Sequence, residues 1–405
     1  MVISHCCLKA NGLNSPDIAM LRASQFQIPN PKSQTPKNSQ APNPQLPVKS
    51  DISRYIRDFA RVAILLPALA LFPGDTLFAA TPLAPFNFPT ANHALFENGG
   101  EEKFFVGTAG KSWTTGTFGC VRSGGWQIHE GLDIRCLQRD KHGEPTDPVL
   151  ATADGTVAYI NTRPSLSNYG NYIVLRHMVE GIEIYSLYAH LHSVRDDLKP
   201  GQSVKAGERI ALMGRTANTR EGISKDRAHV HFELNLFANE RFSSWYKSEF
   251  PTQRNDHGNW NGQNLLGLDP QLILKAERDQ GTNFSLIKFI RQQTEVCRVF
   301  VRKTDFPWLK RYSALVKSNP LAQKEGTVGY EIAMNFNGVP FELIPRSASE
   351  VKIKARSPFI LLSVNETEQA RNPGRRLVSK SGAHWQLTSH GTEFLDLLTE
   401  PRPRG

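Results

Sequence analysis

Apolar and polar residues alternate in short runs through the middle of the chain, and glycine-containing turns separate the runs. Residues 171–177 alternate as a β-strand, and residues 181–188 form a second strand after a short turn. An Asp154-Gly155 pair lies between two apolar runs, which predicts a further hairpin over residues 148–160. This pattern is typical of antiparallel sheets whose strands follow one another along the chain.

Shorter strands are expected further along the chain. Residues 201–214 place Gly, Val and Ile at three-residue intervals, which predicts tight turns between very short strands. Residues 229–234 alternate as another strand, whereas residues 237–267 are polar, aromatic and turn-rich and predict a long surface loop. Together these patterns predict a mainly β domain over residues 104–275, arranged as an antiparallel β-sandwich or a flattened barrel.

The pattern changes after this region, and helices are expected before a second domain. Asp269-Pro270 has the residue types of a helix N-cap followed by proline at the first helical position, and we expect a helical connector over residues 276–294. Residues 295–400 combine apolar strands, an Asn337-Gly338 turn and a short closing helix. They predict a smaller C-terminal α+β domain with an accessory role that the sequence leaves open.

The N-terminal region has a different composition. Residues 1–50 are rich in Pro, Asn, Gln and Ser, which predicts a disordered segment or an over-extended start. Residues 51–80 combine arginines, a short apolar run and small residues, the pattern of a secretory signal peptide, and residues 81–103 are expected to be a linker. We therefore expect an exported protein of the periplasm or cell envelope, with membrane contact only through an uncleaved signal segment.

Charge and cysteine content narrow the expected partners. The 405-residue chain carries a formal net charge of +10, which favours nucleic acid, anionic wall polymers or lipid headgroups. An exported protein does not meet nucleic acid, so we expect no nucleic-acid partner. In an oxidising compartment, Cys120 and Cys136 either form a disulfide or remain two buried thiols, and the sequence does not decide between these alternatives.

Three histidine-containing clusters carry the candidate chemistry. The first is the run from His129 to Asp133, whose side chains would lie about 13 Å apart in a straight strand. Gly131 permits a bend that brings them together. The second is His229-Val-His231, with both rings on one face of a strand, and the third contains His190. Each cluster alone is more typical of solvent-facing histidines.

Taken together, the clusters contain the ligand types of a hydrolytic zinc site. Two imidazoles and one carboxylate form a tetrahedral set whose fourth position is open to water. Zinc lowers the pKa of bound water towards about 7 and polarises a carbonyl oxygen. Further histidines beside such a set are suited to deprotonate that water or to stabilise an oxyanion.

The order of the motifs HEGLDI, GNYIVLRH, YAHL, the G-x-x-V-x-x-G-x-x-I turns and HVHFEL resembles the lysostaphin-like zinc metallopeptidases. These enzymes cut peptide bridges in peptidoglycan, and the resemblance covers residues 104–275. It implies a β-fold of the duplicated hybrid motif type, one Zn²⁺ per chain and peptidoglycan as partner. The implied site residues are the zinc ligands His129, Asp133 and His231, and the catalytic residues His190 and His229.

The sequence leaves open the substrate preference and two alternative functions. The loop 135–147, the segment 217–227 and the insertion after Leu234 depart from the family pattern, which leaves the substrate preference open. A wall-bound, non-catalytic regulator of another hydrolase would share the fold, although such members usually lose zinc ligands. A phosphocarrier domain of the sugar transport system also has this β-architecture and paired histidines, but the signal segment and Asp133 argue against it.

Overall fold

Short antiparallel strands dominate the central region, as the alternating pattern predicts. The computed structural model describes residues 85–122, 127–219, 222–352 and 357–399. The predicted disordered start at 1–50 and the predicted signal segment at 51–80 lie outside the described residues. The strands of the central region are β1 (Val121–Arg122), β2 (Gln127–Ile128), β3 (Leu132–Arg135), β4 (Pro148–Leu150), β5 (Gly155–Asn161), β6 (Asn171–Val179), β7 (Ile182–Leu191), β8 (Ser193–Val194), β9 (Ser203–Val204), β10 (Arg209–Leu212), β11 (His229–Phe237) and β12 (Leu265–Leu268).

Two sheets form the layers of this region. The larger, seven-stranded sheet has the order β12-β11-β7-β6-β5-β9, with β3 pairing to β11, and the smaller sheet has the order β4-β10-β8. Buried residues of both sheets, among them Val149, Ile173 and Ile210, belong to one hydrophobic core. The predicted antiparallel sandwich is therefore confirmed, and in the described residues neither sheet closes into the flattened barrel given as its alternative.

The hairpin predicted over residues 148–160 is wrong, because β4 and β5 belong to different sheets. Between them the chain crosses the core, where Ala151 is fully buried and the Thr152 backbone N–H donates to Tyr188 Oη at 2.8 Å. Asp154 uses its carboxylate to accept from the backbone N–H of Ala206, on a neighbouring turn. β4 pairs with β10, whereas β5 pairs with β6. The Asp154-Gly155 turn therefore joins two different sheets.

Residues 85–103, which we expected to be a linker, pack against the sheets. Phe86 and Phe88 are buried in the core, and the backbone N–H of Phe86 donates to Glu277 Oε1 at 2.6 Å. This segment leads into the first α-helix of the described residues. The helices up to the connector are α1 (Glu101–Phe104), α2 (Phe242–Glu249) and α3 (Pro270–Gln280).

The predicted surface loop at 237–267 is wrong in part. It contains α2 and β12, and Phe242, Trp245 and Tyr246 are buried on one side of α2. These three residues lie at positions i, i+3 and i+4, the spacing of one helix face. The polar residues around them obscure this pattern in the sequence. The predicted N-cap is confirmed, because Asp269 accepts from the backbone N–H groups of the first turn of α3.

The C-terminal part contains its own sheet and several short helices. Its four-stranded antiparallel sheet has the order β15-β14-β13-β16, and the predicted turn at Asn337-Gly338 joins β14 to β15, with Gly338 at φ 82°. The strands are β13 (Cys297–Val301), β14 (Thr327–Met334), β15 (Pro340–Ser347), β16 (Phe359–Val364), β17 (Val378–Ser381) and β18 (His384–Leu387). The helices are α4 (Leu286–Arg291), α5 (Pro307–Arg311), α6 (Pro320–Glu325), α7 (Glu366–Arg371) and α8 (Ser389–Thr399).

Specific contacts attach the C-terminal part to the central sheets. Tyr312 is fully buried, and its hydroxyl accepts from the backbone N–H of Phe237 at 2.7 Å. Asn337 Nδ2 donates to the carbonyl of Gly267 at 2.8 Å. All described residues belong to one compact unit, and both parts contribute to one hydrophobic core. A domain boundary at residue 295 stays a prediction.

Cys120, Cys136 and Cys297 are buried, and within the described part of the chain no disulfide joins Cys120 to Cys136. Of the two alternatives for Cys120 and Cys136, the structure therefore contains the pair of buried thiols. Among the described residues, no helix is both long enough and apolar enough to cross a bilayer.

Candidate metal centre

Strand pairing brings all three histidine-containing clusters together. β3 runs antiparallel to β11, and in this register Asp133 lies directly opposite His231. β11 also pairs with β7, where Ala189 lies opposite His231 and His190 is the next residue. Residues far apart in sequence therefore meet at one edge of the seven-stranded sheet.

Gly131 allows the first cluster to fold back on itself. The chain bends here between β2 and β3, and a Cβ atom at this position would lie only 2.3 Å from the carbonyl oxygen of Phe232. Glycine is required for this close approach to β11. Two backbone hydrogen bonds, from His129 N to the Cys120 carbonyl and from Gly119 N to the His129 carbonyl, then fix His129 beside the strand pair.

Three acceptor atoms converge at this point. His129 Nε2, His231 Nδ1 and Asp133 Oδ1 form a triangle whose three edges are each 3.0 Å. Zinc with ligand distances of about 2.0–2.1 Å and tetrahedral angles separates its ligand atoms by about 3.3 Å. The triangle therefore fits a divalent ion after a small outward adjustment. It is also the one group of this kind found among the described residues.

Hydrogen bonds outside the triangle orient both rings. His129 Nδ1 lies 2.8 Å from the carbonyl oxygen of Thr117, which only accepts, so this nitrogen carries the proton in the neutral ring. His231 Nε2 lies 2.8 Å from Glu233 Oε1 and carries its proton for the same reason. The two inward-facing nitrogens are therefore lone-pair atoms, which is the arrangement that metal-binding imidazoles adopt.

Burial and charge shift the pKa values of the cluster. Burial lowers the pKa of His129 to about 4. Burial also acts to lower the pKa of His231, but its bonds to Asp133 and Glu233 outweigh this and raise it to about 10. Burial opposes ionisation of Asp133, yet the neighbouring His129 and His229 rings hold the pKa of its carboxyl well below the usual value. The cluster therefore holds an ionised carboxylate and attracts a proton or a cation.

His229 and His190 line the same site without joining the triangle. His229 Nδ1 lies 2.6 Å from the Arg227 carbonyl, and its Nε2 lies 3.5 Å from Asp133 Oδ1. His190 Nδ1 lies 2.9 Å from the Thr216 carbonyl. Both rings therefore carry the proton on Nδ1 and an acceptor on Nε2. Burial lowers the pKa of His190 well below its usual value, and the His229 ring lowers it further.

The backbone at His190 is held in an uncommon conformation. Its φ is 60°, a left-handed value that costs a residue with a Cβ roughly 1–2 kcal/mol. Its backbone N–H donates to the Tyr169 carbonyl at 2.8 Å, which holds the bend at the end of β7. His129, Asp133, His229 and His231 are at most 4% exposed, whereas His190 is half-buried.

Two charged residues of the site were not predicted from the sequence. Glu233 accepts from His231 and from Tyr169 Oη, and strand alternation alone would have placed it on the face of His231. Arg122 donates from Nη2 to Asp133 Oδ2 at 2.9 Å, and no local pattern connects these residues. A further buried histidine, His177, lies outside the site, and its ring bonds Ser186 and the Asp154 carbonyl.

Comparison with known proteins agrees with this arrangement. The profile of peptidase family M23 matches residues 127–242. The lipoprotein NlpD of Yersinia enterocolitica is 35% identical over 95 residues, which are 24% of this chain and 84% of that protein. The chain belongs to peptidase family M23. The M23 match includes all five candidate site residues, and the resemblance inferred from the motifs is confirmed.

Other relatives are matched over short stretches. An uncharacterized metalloprotease of Haemophilus influenzae is 38% identical over 27% of this chain and 18% of its own length. The murein hydrolase activator NlpD of Escherichia coli is 35% identical over 29% of this chain and 24% of its own length. The chain thus spans less than a third of the first curated relatives that it matches. A zinc-containing peptidase structure from Vibrio cholerae is 31% identical over 26% of each chain, with a TM-score of 0.20.

Proposed function

We propose that this M23 protein is a zinc-dependent endopeptidase that hydrolyses peptide cross-links or stem peptides of bacterial peptidoglycan. The observation that carries the proposal is the triangle of His129 Nε2, His231 Nδ1 and Asp133 Oδ1, three acceptor atoms each 3.0 Å from the others. Each imidazole of the triangle donates outward, so its inward nitrogen is available to one divalent ion. These residues would hold one Zn²⁺ per chain.

A zinc ion bound there would lower the pKa of a water molecule towards about 7 and polarise the scissile carbonyl. His229 and His190 carry the proton-transfer chemistry. The carbonyls of Arg227 and Thr216 accept from their Nδ1 atoms and keep Nε2 as an acceptor facing the site. Either ring is suited to take a proton from water and, once protonated, to donate to the oxyanion of the reacting peptide.

Several features support a wall substrate. The predicted signal segment 51–80 would direct the protein to the periplasm or cell envelope, and the net charge of +10 favours an anionic polymer. The Escherichia coli relative is described as an activator of murein hydrolases, which connects this type of domain with the wall. We expect peptidoglycan as the partner and no nucleic acid.

The same relative supports a second candidate, a non-catalytic regulator of another wall hydrolase. The regulator needs neither a metal nor a base, whereas this chain combines a three-ligand triangle with two oriented histidines. We therefore favour the enzyme.

Digestion of purified sacculi tests the proposal. The full-length chain should release soluble muropeptides, and mass spectrometry of the products should identify a newly hydrolysed peptide bond. His129→Ala should abolish this release, whereas His192→Ala, which changes an exposed histidine, should not. Zinc binding without any release would contradict the enzyme, and release only in the presence of a second hydrolase would favour the regulator.

A further inference from the structure

The two carboxylate oxygens of Asp133 have different surroundings. Oδ1 lies 3.0 Å from His129 Nε2 and from His231 Nδ1, inside the candidate metal centre. Oδ2 points away from these rings and accepts from Arg122 Nη2 at 2.9 Å. The Asp133 side chain is 5% exposed and that of Arg122 is 25% exposed, so this ion pair is largely shielded from solvent.

Arg122 is fixed by the hairpin that also delivers His129. It lies on β1, which pairs with β2 immediately before His129. The same Nη2 atom donates to the carbonyl of Thr115, in the 3-10 turn Trp113–Gly116. Because a second element holds the guanidinium, its position does not depend on Asp133 alone.

This geometry matters because a carboxylate can bind zinc through one oxygen or through two. Binding through both would bring Oδ2 to the metal and occupy space that a hydrolytic site leaves to solvent and substrate. A charge-assisted hydrogen bond to Oδ2 opposes that rotation. We propose that Arg122 is a positioning residue that makes Asp133 present Oδ1 alone, an inference that rests on the metal centre of the proposed function.

A purely structural role for Arg122 explains less of what is observed. The bond to Thr115 would fasten β1 to the 3-10 turn whether or not the guanidinium touched Asp133. A guanidinium beside a cation-binding cluster is also electrostatically unfavourable unless a carboxylate lies between them. Asp133 lies in that place, with one oxygen towards each side.

Cobalt substitution tests the inference on the full-length protein, because the intensity of the visible bands of Co²⁺ reports its coordination number. The wild type should give the intense bands of four-coordinate cobalt. Arg122→Gln should still bind one metal ion per chain but lose about twofold or more of this intensity, as a fifth ligand enters. Arg122→Lys keeps a cationic donor and should retain the wild-type spectrum. The matched control is Arg135→Gln on β3. Arg135 donates to the Phe105 carbonyl and not to Asp133, so this variant should also retain the wild-type spectrum.

A metal-loaded Arg122→Gln protein with the wild-type spectrum would overturn the inference. Zinc-edge X-ray absorption on the wild type measures the number of zinc ligands without any variant. A shell of four nitrogen or oxygen ligands at about 2.0 Å is expected, and a five-coordinate shell in the wild type would overturn the inference. A wild type that binds no zinc would contradict both the metal centre and the role of Arg122. A wild type that binds zinc but leaves sacculi intact would contradict only the proposed reaction.

Discussion

His129 Nε2 and His231 Nδ1 lie 3.0 Å apart, although the hydrogen bonds at their opposite nitrogens make both of them acceptors in the neutral rings. Two lone pairs at this distance repel each other unless a proton or a cation lies between them. A proton on His231 Nδ1 makes a hydrogen bond to one or both of the other two atoms of the triangle. A divalent ion binds the lone pairs of His129, His231 and Asp133 together.

Loss of either candidate base should separate metal binding from catalysis. His229→Ala and His190→Ala should each retain zinc, because neither ring belongs to the 3.0 Å triangle, and each should lower kcat by about 100-fold or more. The measurement is the rate of muropeptide release together with the zinc content. A variant that retains full activity would remove that histidine from the mechanism.

Gly131→Ala should weaken the metal centre without any change to a ligand. The added Cβ would meet the Phe232 carbonyl at 2.3 Å, so β3 must move away from β11 and Asp133 away from His231. We expect a loss of zinc affinity of about 10-fold or more, because ligand placement controls affinity. Chelator competition measures it. Wild-type affinity in a folded Gly131→Ala protein would show that the bend does not need glycine.

The sequence predicted most of the strands because their alternation is local, and it predicted the ligand types because histidine and aspartate at these spacings are informative. It missed the partners of Asp154, which lie on a turn about fifty residues further along the chain. It also missed Arg122, because its contact with Asp133 depends on how the β1–β2 hairpin folds over β3. Non-local packing decides such contacts, and no periodicity within a single segment reports it.

The Tyr312 hydroxyl should contribute measurably to stability. It accepts from the buried backbone N–H of Phe237, and Tyr312→Phe leaves that donor without its partner at a cost of about 1–3 kcal/mol. Urea unfolding should show this loss, with zinc content unchanged. Tyr330→Phe, at a half-buried position in β14, is the control and should lose less. Equal stability of Tyr312→Phe and wild type would contradict the attachment that we describe.

Glu277 should make stability fall as pH rises. Burial raises the pKa of this carboxyl from 4.5 to about 7, and its bond from the Phe86 N–H only partly opposes the shift. The folded state therefore binds the proton more tightly than the unfolded state does. The stabilisation is fully present below about pH 4.5 and is lost as pH rises through about 7, with an upper limit of about 3 kcal/mol.

Glu277→Gln keeps an acceptor for Phe86 and removes this titration. Its stability relative to wild type should increase between pH 4.5 and 8, measured by urea unfolding with chelator present so that metal binding does not contribute. Glu102→Gln, at an exposed position, should show no such trend. A difference between Glu277→Gln and wild type that is independent of pH would contradict the shifted carboxyl.

Metal analysis of the full-length chain tests the central claim most directly. After dialysis against zinc and removal of the excess, the wild type and His192→Ala should each contain one zinc per chain. His129→Ala, Asp133→Ala and His231→Ala should each fall below about one tenth of that value, since each removes one of three protein ligands. A wild type without stoichiometric zinc, or full zinc content in these three variants, would contradict a single ion held by this triangle.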